Sequence, residues 1–298
     1  MLAIALRVLI ALEIVLFGVF AWCYLGISVL GSILFVFACM LGLPFWITGA
    51  TFVFSWFHHS PSPRLGLFRA SGMFLAEYAA FLVNFVLISP FENWWMGPDR
   101  LTPGRGRPPV LLIHGYGCSR AAWWWLRRRL EAAGWTVATI NLEPIFTSIE
   151  TYEEPVSRRI DEVLAETGAK QLILVGHSMG GLVARAYLRR YGKEKVIQLV
   201  TLGTPHAGSK LARYVIGQNA RQMTPGDAWL KAPNSEALLV KTITIFSPHD
   251  NYVIPQSNLY LPGGQRQLID GLGHLSMLYS PRVAKQLLNG LLPLSQTE

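Results

Sequence analysis

Charge is distributed very unevenly along this chain of 298 residues. Arg7 and Glu13 are the only formally charged side chains before Arg64. An α-helix needs about 20 apolar residues to cross the roughly 30 Å hydrocarbon core of a bilayer, so this stretch can hold two spans. We place them near residues 4–25 and 29–50.

A cleaved signal peptide is the alternative reading of the N-terminus. Glu13 interrupts the first apolar run, and a second apolar run follows at once, without a small-x-small cleavage site before a polar start. Over the whole chain 51% of residues are hydrophobic and only 15% are charged, against about 25% charged in typical soluble domains. The sequence therefore predicts a retained helical hairpin in contact with lipid.

A third apolar segment, residues 65–88, carries its polar side chains on one narrow face. At 100° per residue, Arg69, Glu77 and Asn84 fall within about 80° of one another on a helix. This pattern fits an amphipathic helix in the headgroup layer or packed on the spans. It also fits a third transmembrane helix with a polar seam. Residues 1–97 are thus predicted to form a membrane module.

The arginines around this module predict its orientation. Lys and Arg are absent between the two spans, whereas five arginines follow the second one: Arg64, Arg69, Arg100, Arg105 and Arg107. If the chain crosses twice, the positive-inside rule places the C-terminal part on the cytoplasmic side, in a bacterial inner membrane. A third span would move it to the opposite side.

Beyond a predicted linker at residues 98–109, short β-rich runs alternate with helical stretches, which is typical of a parallel sheet. The strands are predicted at residues 110–114, 137–140, 172–176, 197–202, 242–247 and 266–268. Helices are predicted from Ser119 to about Ala133, from Pro155 to Gly168, and from Pro281 to Leu292. Residues 110–298 therefore form an α/β domain, in which residues 209–239 are left over as a short cap or lid.

Ser178 lies in a Gly-x-Ser-x-Gly motif between an apolar strand and a helical run. That setting is what a nucleophile elbow requires, because the serine must sit on a tight, strained turn that projects its hydroxyl above the sheet. Gly176 and Gly180 are expected to be glycines because side chains at those positions would collide with the neighbouring backbone.

A second motif, His114-Gly115-Tyr116-Gly117, ends the first predicted strand. A loop at this place supplies one amide of an oxyanion hole in elbow-type hydrolases, and the residue after the nucleophile supplies the other. The backbone N–H groups of Tyr116 and Met179 are therefore the predicted donors. The alternative is that the His-Gly pair only marks a strand exit.

The catalytic base is predicted to be His274, because the order serine, acid, histidine points to the C-terminal part of the domain. His206 and His249 are competitors, although His206 comes early in this order. Asp250 follows the strand at 242–247 and is the predicted acid. Asp270 is the alternative acid, but it lies only four residues before His274 on the same loop.

Residues 106–298 resemble the α/β-hydrolase superfamily, and within it bacterial lipases and esterases. The resemblance rests on the elbow around Ser178, on the His-Gly-Tyr-Gly strand end, and on a Gly-Thr-Pro-His-Ala-Gly segment from Gly203 to Gly208. It implies a structural or substrate-lining role for Thr204, Pro205 and His206. The domain is short for this superfamily, and the membrane module is not part of the secreted lipases' pattern.

Together these features predict a membrane-anchored serine hydrolase that cleaves a lipidic or other apolar carboxylic ester through an acyl-enzyme. An acyltransferase or thioesterase with the same triad is the alternative within catalysis, and a non-catalytic membrane scaffold is the alternative outside it. No metal or organic cofactor is expected. The net charge of +8 comes without a nucleic-acid motif, so we expect a membrane surface rather than nucleic acid as the anionic partner. The sequence leaves the oligomeric state open.

Overall fold

The computed structural model describes residues 1–102, 106–234 and 237–291. Its N-terminal part consists of α1 (Leu2–Val19), α2 (Val29–His58), α3 (Leu67–Leu82) and the short α4 (Glu92–Met96). π-Helical turns at Phe20–Tyr24 and Val83–Ile88 extend α1 and α3. Ser28 caps α2, since its hydroxyl accepts a hydrogen bond from the backbone N–H of Gly31 at 3.2 Å.

Three of these helical stretches are long and apolar enough to cross a membrane: Leu2–Tyr24, Val29–His58 and Leu67–Met96. The first agrees with the predicted span, while the second runs about eight residues past the predicted end at residue 50. Large apolar side chains on all three stay exposed, among them Val15, Trp46 and Phe68. A soluble monomer rarely exposes so much contiguous apolar surface.

Six parallel strands form the sheet of the C-terminal part, in the order β2-β1-β3-β4-β5-β6. The strands are β1 (Val110–Ile113), β2 (Val137–Ile140), β3 (Leu172–His177), β4 (Val196–Leu202), β5 (Lys241–Phe246) and β6 (Gln265–Leu268). Each lies within one residue of its predicted bounds. The predicted fold class, a compact α/β-hydrolase with about six strands behind a helical hairpin, is confirmed.

Helices cover both faces of this sheet. They are α5 (Trp124–Ala132), α6 (Glu153–Thr167), α7 (Met179–Tyr191) and α10 (Pro281–Gly290), while the short α8 (Gln218–Gln222) and α9 (Ala228–Asn234) lie in the segment between β4 and β5. Side chains of β3 alternate between the faces: Leu174 packs with α6 and α7 residues, and Val175 with α5 and α10 residues. The helix predicted from Ser119 opens as a 3-10 turn, Arg120–Trp123, before α5. The predicted end of the last helix, Leu292, lies outside the described residues.

The strand order reverses between β1 and β3, because β2 lies on one side of β1 and β3 on the other. In open parallel sheets, ligands bind beside the carboxyl ends of the strands at such a switch point. The loops that follow β1 and β3 begin at His114 and Ser178. The topology therefore brings the two predicted motifs to one crevice.

The predicted linker is partly packed into the α/β domain. The side chain of Asp99 is 5% exposed and bonds Arg120, Arg127 and Arg159, at N···O distances of 3.4, 2.9 and 2.8 Å. It also accepts the backbone N–H of Thr139, on β2, at 2.7 Å. These bonds anchor the start of the linker to the edge of the sheet.

Candidate active site

Ser178 sits in a strained turn between β3 and α7. Its backbone angles are φ 52° and ψ −125°, and it is the single non-glycine residue with positive φ in the described part of the chain. Such a conformation costs on the order of 1–3 kcal/mol and persists only where the surroundings impose it. Here the N–H of Ser178 is held by the carbonyl of Leu202 at 2.8 Å.

The turn is closed by glycines that leave no space for a side chain. A Cβ on Gly180 would overlap the carbonyl oxygen of Ile113 and lie 2.6 Å from that of His114. A Cβ on Gly176 would meet the backbone of Gly180 and Gly181. Gly180 therefore lets the turn after β3 lie directly on the backbone at the end of β1, and Gly176 lets the start of α7 lie directly on β3.

Gly180→Ala is expected to destabilise the domain strongly, because the added methyl group meets rigid backbone rather than a movable side chain. Overpacking costs about 1–3 kcal/mol, and occasionally more. We expect a loss at the upper end, and thus a Tm lowered by about 6–12 °C. Thermal unfolding of the detergent-purified chain measures it. The control is Gly72→Ala on α3, where a Cβ meets nothing within 4 Å; equal Tm values for the two variants would contradict this account.

The predicted oxyanion donors flank Ser178. Met179 is the first residue of α7, so its N–H lacks a partner within the helix. Gly115 lies against the elbow, since a Cβ there would be 2.8 Å from Cβ of Ser178. Tyr116 follows it, lines the same cavity as Ser178, and donates its hydroxyl to the carbonyl of Ile216 at 2.7 Å. The hydroxyl of Tyr116, one of the two predicted oxyanion residues, is thus bonded to the segment between β4 and β5.

His274 and Asp250 are in direct contact. Nδ1–H of His274 donates to Oδ2 of Asp250 at 2.8 Å, and Asp250 is fully buried. The other carboxylate oxygen of Asp250 accepts the backbone N–H groups of Tyr252 and Val253 at 2.8 and 2.9 Å. With Nδ1 protonated in this way, Nε2 of neutral His274 is free to accept a proton. His274 and Ser178 line the same cavity.

Charge governs the protonation of His274. Burial lowers the pKa of His274, but the charge and hydrogen bond of Asp250, with a smaller contribution from Glu77, outweigh burial and raise it above its ordinary value of 6.5. The neighbouring His177 behaves differently, because burial holds its pKa well below that value. Neutral His177 donates its Nε2–H to the carbonyl of His274 at 3.2 Å. One imidazole therefore supports the backbone of the other.

The alternative bases, His206 and His249, and the alternative acid, Asp270, make other contacts. His249 contacts the carbonyl of Pro63 at 2.8 Å and accepts the N–H of Gly271 at 3.1 Å. His206 is buried beside Arg185 and Thr201. Asp270 is half-exposed and pairs with Arg69 at 2.7 Å rather than with His274. The geometry thus favours His274 and Asp250 over all three alternatives.

The two roles expected for the Gly-Thr-Pro-His segment, structural and substrate-lining, fall on different residues. Of its predicted substrate-lining residues, only Pro205 lies among the described residues that line the cavity. Thr204 packs against Gly181 instead, and His206 is buried behind it. Within this segment, Gly203 lies beside the bonded pair of His274 and Asp250. A Cβ on Gly203 would lie 3.3 Å from Nδ1 of His274 and 3.4 Å from Oδ2 of Asp250. The glycine therefore lets the chain pass beside the bonded pair.

The polar face of α3 turns toward the α/β domain. Glu77 is buried and accepts the backbone N–H groups of Leu275 and Ser276, both at 2.8 Å, in the loop directly after His274. Arg69 pairs with Asp270 at the start of the same loop, four residues before His274, and Asn84 approaches Sγ of Cys118 at 3.8 Å. The narrow polar face predicted from the sequence thus contacts the loop that carries His274 and the loop after β1.

A second contact ties α2 to His274. Asn251 accepts the backbone N–H of His274 at 3.0 Å and donates to the Thr51 hydroxyl at 2.7 Å. Neither Glu77 nor Asn251 was predicted from the sequence to contact the backbone around His274. The signals available were the polar face of the third segment and the position of Asn251 directly after the predicted acid.

The cavity beside Ser178 has a volume of about 560 Å³. This falls within the roughly 300–1,000 Å³ of small-molecule sites. Gly115, Tyr116, Ser178 and His274 line this cavity, and the remaining lining residues are mostly apolar. The arrangement can place an apolar substrate against a serine hydroxyl, a histidine and two backbone amides.

Residues 108–279, more than half of the chain, match the family described as the alpha/beta hydrolase fold. The chain belongs to this family.

The similarity of this chain to individual proteins covers shorter stretches. A triacylglycerol lipase of Pseudarthrobacter phenanthrenivorans is 34% identical over 121 residues, which is 37% of this chain and 36% of the lipase. A triacylglycerol lipase of Burkholderia plantarii is 34% identical over the same length, 37% of this chain and 32% of that lipase. The matched part of the chain thus spans about a third of the length of these two relatives.

Solved structures agree on the fold. The mature form of a Bacillus licheniformis lipase superposes with a TM-score of 0.57 at 19% identity, covering 66% of this chain and 95% of that one. Lipase B of Aspergillus fumigatus gives a TM-score of 0.56 at 16% identity, over 63% of this chain and 53% of that one. At these identities the similarity establishes the fold alone.

Proposed function

We propose that this protein is a membrane-anchored serine hydrolase that cleaves carboxylic esters, with Ser178, His274 and Asp250 as its catalytic triad. The observation that carries the proposal is the strained backbone of Ser178, in one cavity with a histidine whose Nδ1 is bonded to a buried aspartate. Strain of this kind concentrates at functional sites. The similarity to triacylglycerol lipases supports the same class of reaction.

Acylation begins with attack of Oγ of Ser178 on the ester carbonyl carbon, while Nε2 of His274 takes the hydroxyl proton. Asp250 accepts Nδ1–H throughout, so it fixes the tautomer and stabilises the imidazolium. The negative charge formed on the carbonyl oxygen is held by the N–H groups of Tyr116 and Met179. His274 then returns the proton to the departing alkoxide, and the alcohol leaves.

Deacylation repeats these steps with water. His274 removes a proton from a water molecule as its oxygen attacks the acyl carbon, and the same two amides hold the second oxyanion. Transfer of the proton to Oγ of Ser178 breaks the acyl bond. The products are a carboxylic acid and the restored enzyme, so a cofactor is not part of the chemistry.

Membrane anchoring is supported by the three long apolar helices and their exposed outer faces. Arg64 and Arg69, which follow α2, favour the cytoplasmic face of a bacterial inner membrane for the catalytic domain. Because mid-helix residues of α3 bind the catalytic loops, we favour α3 packed against the domain over α3 as an isolated third span. The residues at 209–239 are proposed to cap the cavity, since Ser209, Leu211 and Met223 line it.

A panel of esters on the detergent-purified chain tests the proposed function. We expect release of carboxylic acid from apolar esters by the wild type. Added alcohol acceptors that divert most of the acyl group into a new ester would instead assign an acyltransferase. Turnover of acyl thioesters in preference to oxygen esters would assign a thioesterase. A folded chain that turns over none of these substrates would assign the remaining alternative, a non-catalytic membrane scaffold.

The activity is expected to fall at acidic pH, because His274 must be neutral to accept the serine proton. Since Asp250 raises the pKa of His274 above 6.5, kcat/KM should be lost as pH falls through a value above 6.5 and retained above it. A pH profile of kcat/KM on a p-nitrophenyl ester, with unfolding monitored in parallel, measures this limb. An acidic limb centred below 6.5 would be inconsistent with the buried His274–Asp250 pair.

A further inference from the structure

The N-terminal helices form one wall of the cavity that contains Ser178. Lining residues recur on one face of each helix: Leu6 and Ile10 on α1, Met40 and Leu43 on α2, and Phe81 and Phe85 at the end of α3. Spacings of three or four residues keep side chains on one helical face, so each helix presents an apolar strip to the cavity, interrupted on α1 by Glu13. The catalytic groups lie on the opposite wall.

This wall is fixed to the catalytic loops by polar contacts. Glu77 of α3 holds the backbone after His274, and Thr51 of α2 is bonded to Asn251, which holds His274 itself. Ser55 of α2 accepts from Gln256 at 2.9 Å, and Gln256 also donates to the carbonyl of Asp250 at 2.7 Å. The helical wall and the triad are therefore parts of one site.

The rim of the cavity is aliphatic. Among the described lining residues, those that are exposed are Leu9, Leu43, Ile47 and Val215. They come from α1, α2 and the proposed cap. Glu13 is the single Asp, Glu, Lys or Arg side chain in the described lining. An opening of this kind meets a lipid phase at lower cost than water, because the rim is already apolar.

We infer that the strip formed by α1, α2 and α3 binds the acyl chain of a long-chain lipid ester, which enters from the bilayer across the aliphatic rim. This inference rests on the proposed ester hydrolase function and adds the substrate class. The ester carbonyl lies at Ser178 and the hydrocarbon lies along the helices. The membrane module is then part of the substrate site as well as an anchor.

A chain-length series tests this assignment. The probes are p-nitrophenyl acetate and p-nitrophenyl dodecanoate, with the full chain in detergent. Burial of each additional methylene improves binding by up to about fourfold, so the wild type should prefer the dodecanoate. Leu43→Trp and, separately, Leu9→Trp place a bulky ring in the strip or at its rim, and each should lower the ratio of kcat/KM for the dodecanoate to kcat/KM for the acetate at least about tenfold.

Matched controls place the same substitution on the outer faces of the same helices. Leu12 on α1 and Leu34 on α2 are each 60% exposed and do not line the cavity. Leu12→Trp and Leu34→Trp should keep the wild-type preference. Equal losses of kcat/KM on both esters, or equal effects of lining and control substitutions, would overturn the acyl-chain assignment. The proposed hydrolase function would still hold in that case, provided that the wild type hydrolyses the acetate. Absence of turnover of either ester by the wild type would overturn the proposed function itself.

Discussion

Replacing Ser178 with alanine is expected to lower kcat for ester hydrolysis by about 10⁶-fold, the largest effect of any single substitution in this protein. The variant loses the atom that forms the acyl-enzyme, so only oxyanion stabilisation and substrate binding remain. The hydroxyl is not required for the fold, because the turn is imposed by the backbone around Gly176 and Gly180. Initial rates on p-nitrophenyl dodecanoate, with Tm compared to wild type, measure both points.

A surface serine provides the control for this result. Ser257 is exposed in a 3-10 turn and lies outside the cavity lining. Ser257→Ala should keep both the rate and the Tm of the wild type. Wild-type turnover by a clean preparation of Ser178→Ala would remove Ser178 from the role of nucleophile.

The second large effect is expected at Asp250. Asp250→Asn keeps the size of the side chain but replaces the carboxylate that accepts Nδ1–H of His274. The imidazole then loses its tautomer and the stabilisation of its charged form, and by the precedent of serine proteases kcat falls about 10⁴-fold. The pKa of His274 should fall as well, so the remaining activity should extend to lower pH than in the wild type.

Asp270 gives a matched comparison, since the same substitution there affects half-exposed ion pairs with Arg69 and Arg282 and no bond to His274 among the described residues. Pairs of that kind contribute about 0–1 kcal/mol, so Asp270→Asn should change kcat by less than about threefold. Both variants are measured on one soluble ester, p-nitrophenyl acetate. The reverse ranking would transfer the role of acid to Asp270.

The parts of this fold that local sequence determines were predictable. Strands β1 and β3 are continuous apolar runs, as expected of strands buried on both faces, and each ends in a glycine-containing motif. Gly176 and Gly180 were expected as glycines for the reason that the structure shows, a backbone approach too close for a side chain. The fold class followed from the alternation of such strands with capped helices.

Contacts between distant segments were not predictable in the same way. Glu77 binds the N–H groups of Leu275 and Ser276 across about 200 residues of sequence, and Thr51 reaches Asn251 over a similar separation. Periodicity gave the polar face of α3, but it leaves open whether lipid headgroups, other helices or a catalytic loop cover that face. The apolar residues of α1 and α2 that line the cavity have the same composition as those that face outward.

In the segment after β4, the directions of the side chains were also not predictable from the sequence. Resemblance to lipases implied a structural or substrate-lining role for Thr204, Pro205 and His206, without separating the two. Thr204 and His206 are buried inside the domain, Pro205 lines the cavity, and Gly203 lies beside His274. A motif indicates which residues belong together, whereas side-chain direction depends on the turn between them. Here Gly203, with φ at +55°, sets that turn.

Covalent labelling tests the central claim most directly. A fluorophosphonate reacts with an activated serine when Oγ attacks phosphorus and fluoride leaves, so the adduct reports the nucleophile without any assumption about the natural ester. Intact-mass and peptide analysis of the detergent-purified chain should show one adduct, on the peptide containing Ser178, in the wild type and in Ser257→Ala. It should show no adduct in Ser178→Ala. A wild-type chain that stays unlabelled, or is labelled on another serine, would contradict the account.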